Sequence, residues 1–329
     1  MRMMHARVSV FGAPGYSGME LVKLLALHPN VELVAAASDR MAGASVAQTT
    51  GAPLRGAAAG MRFVSNETAR ATPADIAMLA VPHEAAPALA EQLRASGMKI
   101  IDLSNAHRAT AGVPYGLTSW FASDSTGATL VANPGCYATC VINAIAPFVK
   151  AGWIAGDIVV AAGSGVKGAG KSSDLAMSMG EMNDNVRAYK VLRHQHVPEI
   201  EMALGRIGGG TPRVILTTHL LPLARGIFAT LTVRLRDAAS SERVTACLRD
   251  AYAADETVTV FHTPEQVSLR GVVGTNQTHV GAAASGDVCV ITAALDNLLK
   301  GAAGQAVENM NLVLGLPRMT GLSHLARHG

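Results

Sequence analysis

"ARVSVFGAPGYSGMELVKLLALHP", residues 6–29, is the stretch that decides the fold. Val8 and Val10 open an apolar strand, glycines stand at 12, 15 and 18, and residues 19–27 are apolar with helical spacing. A second buried strand follows in "VELVAAAS" (31–38), so the segment predicts a βαβ unit with a glycine turn between strand and helix. The alternation continues through "DIAMLAV" (75–81), a helix over 83–97, "MKIIDLS" (98–104) and "ATLVA" (128–132). Strands alternating with helices predict a doubly wound parallel sheet.

Beyond a further helix starting near Cys136 the rhythm changes. "RVILTTHLLPL" (213–223), "GIFATLTVRLRD" (226–237), "TVTVFH" (257–262) and "DVCVITAAL" (287–295) read as strands. The first two follow each other with no helix between them, which predicts an antiparallel sheet and a second, α+β domain. The tail "LDNLLKGAAGQAVENMNLVLG" predicts a helix to about Leu314, with Asp296 as N-cap and Gly315 and Pro317 ending it.

At 329 residues the chain suggests about two domains. Hydrophobic residues make up 49% and aromatics only 4%, so aliphatic side chains must build the cores. A net charge of +3 without a Lys/Arg run argues against a nucleic-acid partner. No apolar run reaches the ~18–20 residues of a membrane span, and the start lacks a signal-peptide pattern. Four scattered cysteines fit neither a disulfide framework nor a metal site, and the expected setting is a reducing cytoplasm.

The glycine turn, G-x-x-G-x-x-G over 12–18, opens a helix whose amide groups suit a pyrophosphate. At the end of the second strand Asp39 is placed to accept from a ribose 2′-hydroxyl, favouring NAD. Its neighbours Ser38 and Arg40 suit a 2′-phosphate, favouring NADP, and residue chemistry leaves both readings open. "VANPGCYATC" (131–140) puts Cys136 after Asn-Pro-Gly at a helix start, where amide dipoles stabilise a thiolate. Cys140, Cys247 and Cys289 lie in apolar stretches and read as small buried hydrophobes.

A base is offered by "RHQHVPEIE" (193–201). Pro198 fits the N1 position of a helix, and Glu199 in its first turn is placed to orient a histidine. His194 and His196, one residue apart on a segment read as extended, should point to opposite sides, so that at most one faces Cys136. "GSGVKGAGKSSD" (163–174), with Lys167 and Lys171, reads as an anion-wrapping loop or a plain surface loop. "DLSNAHR" (102–108) ends a strand where open α/β sheets bind ligands, with Arg108 suited to phosphate or carboxylate.

Together "GAPGYSGMEL", "IIDLSNAHR", "VANPGCYATC", "SGVKGAG", "RHQHVPEIE" and "LDNLLKGAAGQAVENMNLVLGLP" resemble the N-acetyl-γ-glutamyl-phosphate reductases of arginine biosynthesis. The resemblance implies a glyceraldehyde-3-phosphate-dehydrogenase-like architecture. Residues 1–134 and 300–329 would form an α/β Rossmann nucleotide-binding domain, and 135–299 an α+β catalytic and oligomerisation domain with a largely antiparallel or mixed sheet. It implies NADP(H) as cofactor, a small-molecule acyl phosphate as substrate, no metal, and a cytoplasmic homodimer or homotetramer. Carried over by motif, Cys136 would be the nucleophile and His196 the acid–base residue, with Glu199 close by. Gly12, Gly15, Tyr16, Ser17, Gly18, Ser38, Arg40, Gly165 and Asn276 would contact the cofactor, and Arg108, Asn133 and His194 the substrate. The chain departs from the family pattern at Asn105, Ala106, His107 and Lys167, within loops suited to ligands. Aspartyl or carrier-linked aminoadipyl phosphates are alternative substrates, and a non-catalytic NADP sensor is the alternative of another class.

Overall fold

The computed structural model describes residues 5–55, 58–169 and 179–326. The chain splits into two compact units, Met1–Gly135 with Ala302–His324, and Cys136–Gly301 with Leu325–Gly329.

The first unit runs β1 (Ala6–Phe11), α1 (Tyr16–Ala26), β2 (Val31–Ala37), α2 (Val46–Thr50), α3 (Asn66–Ala71), β3 (Ile76–Leu79), α4 (Ala86–Ala95), β4 (Lys99–Asp102), α5 (Thr118–Ser125) and β5 (Leu130–Ala132). Its sheet has the order β2-β1-β3-β4-β5 and every pairing is parallel. β3 is buried along its whole length, as a strand covered on both faces must be. Helix α1 turns Leu21, Val22, Leu24 and Leu25 inward, while Phe11, Leu79, Leu93 and Ile100 share one core cluster. The predicted βαβ alternation is what the chain adopts.

In the second unit come α6 (Cys136–Lys150), β6 (Ile154–Gly165), α7 (Met179–Met182), β7 (Arg187–Tyr189), α8 (Val197–Gly208), β8 (Val214–Leu221), β9 (Ile227–Leu235), α9 (Ser241–Tyr252), β10 (Val258–Val260), β11 (Thr278–Ser285) and β12 (Val288–Leu295). Seven strands form one sheet in the order β10-β11-β12-β9-β6-β8-β7. The sheet is mixed, as the largely antiparallel or mixed expectation allows, but the pairing of its consecutive strands differs from a simple hairpin. β8 and β9 do not pair with each other; both flank β6, β8 parallel to it and β9 antiparallel. β10 and β11 are also parallel, so the sheet is mixed. β11, "THVGAAAS", carries no apolar alternation strong enough to mark it in sequence. Among the described residues, no helix is long and apolar enough to cross a membrane.

After β12 the chain makes a π-helical turn, Leu299–Ala303, and then α10 (Gly304–Val313), which closes on Gly315 at φ 72°. Most of α10 is buried within the first unit, where polar side chains join apolar ones such as Val307 and Met310. Asn309 donates from Nδ2 to the Gly116 carbonyl (2.8 Å) and to Asn133 Oδ1 (3.0 Å), and accepts from Ser125 Oγ (2.9 Å). Gln305 Nε2 donates to Thr118 Oγ1, whose hydroxyl donates to the Glu308 carboxylate. At Gly116 an added Cβ would lie 2.3 Å from the Asn309 amide nitrogen, so this glycine is required by close approach.

Asn309→Ala strands buried partners on both sides at a cost of ~1–3 kcal/mol for each unsatisfied group. Chemical denaturation should therefore show a loss of about 3 kcal/mol or more, whereas Asp287→Ala, which breaks only the exposed pair with Arg234, should leave the midpoint nearly unmoved.

Candidate active site

In the first unit the glycine turn places backbone where side chains cannot go. Gly12 sits at φ 77°, and a Cβ there would meet the Ala80 carbonyl oxygen at 2.2 Å, so only glycine lets β1 end against the end of β3. Gly15 is the N-cap residue of α1 and Tyr16 its first residue; Ser17 follows, and Gly18 is buried with its Cα against the Gly12 carbonyl. No side chain caps this helix start. Backbone amides at a helix start without a side-chain cap, reached by a glycine-rich turn, suit a dinucleotide pyrophosphate.

Residues 38–40 lie at the end of β2, in different settings. Asp39 is turned onto the first turn of α3, accepting from the Asn66 backbone N–H and from Asn66 Nδ2, each at 2.7 Å. Its carboxylate thus braces a helix start. Ser38 is half-buried and Arg40 exposed at the strand end.

At the end of β4, Asp102 is fully buried and accepts from the Ser104 N–H (2.8 Å), Ser104 Oγ (2.9 Å) and His107 Nδ1 (2.6 Å). The His107 that stands in this loop is therefore tied to the strand carboxylate. Arg108 spends Nε on the Asn133 carbonyl (2.8 Å) and one terminal nitrogen on the Leu103 carbonyl (2.7 Å), so much of its guanidinium holds backbone. Asn133 is fully buried; its amide nitrogen donates to the Ala302 carbonyl and its oxygen accepts from Asn309. That amide acts as a brace, which sequence, showing only Asn-Pro-Gly-Cys, does not reveal.

In the second unit Cys136 is the first residue of α6 and is half-buried, whereas Tyr137 to Phe148 behind it are all buried. The other thiols differ. Burial pushes Cys140 far up, Cys289 up to about 12, and Cys247 upward, each with a smaller contribution from neighbouring charge. Tyr137 packs edge-on against His194 at 5.2 Å and tilted against His196 at 6.1 Å; the Tyr189 hydroxyl donates to the Tyr137 hydroxyl at 3.0 Å. Burial, then the Tyr189 and Cys136 charges, drives the Tyr137 phenol far above its usual range, and Tyr189 is pushed up to about 12 chiefly by burial. Both tyrosines remain neutral hydrogen-bonding groups. Tyr137 was in view beside the cysteine, but nothing in sequence marked Tyr189 on its short edge strand.

The two histidines do not diverge as an extended segment would require. A turn closed by the Val197 N–H on the His194 carbonyl brings their rings to 4.8 Å, and His196, with αR backbone, is the N-cap residue of α8. Pro198 accordingly falls at the second helical position. His194 Nδ1 accepts from the His196 N–H, and burial followed by the Lys190 charge lowers its pKa to about 4. His196 Nε2 lies 3.8 Å from Glu199 Oε1, and both residues are buried. An imidazole with a buried carboxylate at that distance is equipped to take and return a proton.

Of the second glycine loop, residues 163–169 are described and Lys171 lies outside the described residues. Gly165 is packed on the turn after β8: its N–H donates to the Gly226 carbonyl and a Cβ would lie 2.6 Å from the Arg225 nitrogen. Asn276 is fully buried and its N–H donates to the Leu325 carbonyl.

Because folded His194 titrates near 4 and an unfolded histidine near 6.5, the unfolded chain binds the extra proton between those values. Stability contributed by neutral His194 is full above pH 6.5 and falls as pH drops toward 4. Denaturation midpoints of His194→Asn should decline less over that window than those of the unaltered chain.

Residues 7–128 match the semialdehyde dehydrogenase NAD-binding domain, and residues 136–297 the semialdehyde dehydrogenase dimerisation domain. Among solved structures, aspartate semialdehyde dehydrogenase II of Vibrio cholerae superposes with a TM-score of 0.76 at 18% identity over 94% of this chain and 99% of its own. A probable aspartate-semialdehyde dehydrogenase of Pseudomonas aeruginosa gives 0.76 at 20% identity, covering 94% and 98%. These establish the fold. In sequence, the N-acetyl-gamma-glutamyl-phosphate reductase of Pelotomaculum thermopropionicum is 37% identical over 97% of this chain and 98% of its own, and that of Rhodopirellula baltica 36% over 98% and 99%. With such relatives matching nearly end to end, across both domains, the chain belongs to the N-acetyl-γ-glutamyl-phosphate reductase family.

Proposed function

We propose that this protein reduces N-acetyl-γ-glutamyl phosphate to N-acetylglutamate 5-semialdehyde and phosphate with NADPH, through a thioester on Cys136, in arginine biosynthesis in the cytoplasm. The observation that carries the reading is a half-buried thiol on the first residue of a buried 15-residue helix, in the unit that also holds the His194–His196–Glu199 cluster. The thiolate attacks the acyl carbonyl and phosphate leaves, which splits one hard displacement into two easier steps. NADPH supplies the hydride that reduces the acyl carbon. The uncapped start of α1 with Gly12, Gly15 and Gly18 would hold its pyrophosphate, and Ser38 with Arg40 its 2′-phosphate. Amide groups at the start of α6 stabilise oxyanion character on the acyl oxygen. His196, backed by Glu199, protonates that oxygen, and collapse frees the thiol and the aldehyde. His194, neutral and bonded to the His196 backbone, supports this geometry.

Cys136→Ala should bind NADPH normally and lose turnover; substantial residual reduction of the acyl phosphate would refute the reading. His196→Asn should cut kcat by about 10²-fold or more and His194→Asn far less. Equal effects would move the proton-transfer role elsewhere.

The match to a dimerisation domain supports a homo-oligomer, and the seven-stranded sheet offers a surface for it. Helices α6, α8 and α9 pack on the sheet. On the opposite face Val159, Ala161, Ile215, Thr217, Thr230 and Thr232 stand in mutual register, uncharged and at least partly exposed. We take a second copy of the chain to cover them. In light scattering, Ala161→Arg should shift the mass toward the monomer; unchanged mass would place the contact elsewhere.

A further inference from the structure

The nucleophile has a neighbour that the proposed chemistry does not use. Gly301, in the π-helical turn after β12, lies so close to Cys136 that a Cβ added to it would stand 2.7 Å from Cys136 Cβ and 3.2 Å from Cys136 Cα. The backbone of this turn therefore forms a wall against the base of the catalytic side chain and limits where the sulfur can swing.

Asp296 and its neighbour Asn297 hold that wall. The Gly301 N–H donates to the Asp296 carbonyl at 2.9 Å, the five-residue spacing of a π turn. The Asp296 carboxylate, fully buried, gathers four donors: the Leu298 N–H (2.8 Å), the Leu299 N–H (3.1 Å), the Gly274 N–H (2.8 Å) and Arg225 Nη2 (3.0 Å). Its sequence neighbour Asn297 accepts from the Gly226 N–H at 2.7 Å, binding the same turn to the connection between β8 and β9. A short π segment departs from ordinary helical spacing and persists only where its surroundings hold it. Here four donors converge on one buried carboxylate, and the turn it braces touches Cys136.

We propose that Asp296, anchored by Arg225, is a positioning residue for Cys136, acting through Gly301. It keeps the Gly301 backbone against Cys136 Cβ, and so keeps the sulfur over the amide groups that begin α6, where the thiolate is stabilised and aimed. Positioning of this kind is expensive to lose, since displacing a reacting atom by about 1 Å can cost on the order of 10²-fold in rate. The proposal rests on the reading of Cys136 as the nucleophile.

Asp296→Asn keeps an acceptor for the turn but removes the charge that Arg225 and three N–H groups share. It should lower kcat about 10- to 100-fold with the KM for acyl phosphate and NADPH binding little changed. Iodoacetamide labelling of Cys136, followed by peptide mass mapping across pH, should show its alkylation profile displaced to higher pH. Gly301→Ala, which presses on Cys136 directly and leaves Asp296 in place, should displace it in the same direction. An Asp296→Asn protein with lowered thermal stability but the normal kcat and labelling profile would overturn the proposal, as would a normal profile in Gly301→Ala should Asp296→Asn not fold. Cys136→Ala tells the two readings apart: persistent turnover there refutes the nucleophile, while the labelling profiles still judge the positioning.

Discussion

A cysteine on the first residue of a helix whose next twelve residues are buried cannot withdraw into the core, and the rest of the site follows from that constraint. The amide groups at the start of α6 give a sulfur anion a favourable field. Three other thiols, in the interior or half-covered on a helix face, are pushed upward by burial. Placement, not residue type, sets Cys136 apart from them.

Both units use buried carboxylates as knots. In the first, Asp102 collects Ser104 and His107 at the end of β4, and Glu308 receives Thr118 within α10's polar seam. In the second, Asp296 collects four donors at the turn that carries Gly301. With aromatics at 4% of the chain, aliphatic packing carries most of the burial. Such packing is forgiving of small slips, whereas directional bonds to a buried carboxylate are not. The knots lie where loops must be held in one geometry.

Sequence showed the first unit clearly because parallel strands buried on both faces are near-continuous apolar runs and the glycine turn punctuates them. The cysteine was legible for a related reason: Asn-Pro-Gly before an apolar helix has a local meaning. What stayed hidden depends on contacts distant in the chain. β11 is rich in alanine and glycine and becomes a strand through its partners β10 and β12. The strand order that inserts β6 between β8 and β9 has no local signature. His194 and His196 were found, but a turn rather than an extended backbone sets their rings together. Asp39 offered an acceptor on paper and is committed to Asn66 in space. Asp296 read as a helix cap, and its reach to Arg225 and Gly274 is visible only once the strands are in place.

The central claim is that an acyl group resides on Cys136 between phosphate release and reduction. The most direct measurement mixes the enzyme with N-acetyl-γ-glutamyl phosphate without NADPH, quenches in acid and maps the peptides by mass spectrometry. An N-acetylglutamyl adduct on Cys136, discharged to semialdehyde when NADPH is added, is the expected result. An enzyme that turns over with NADPH but never carries mass on Cys136 would contradict the account.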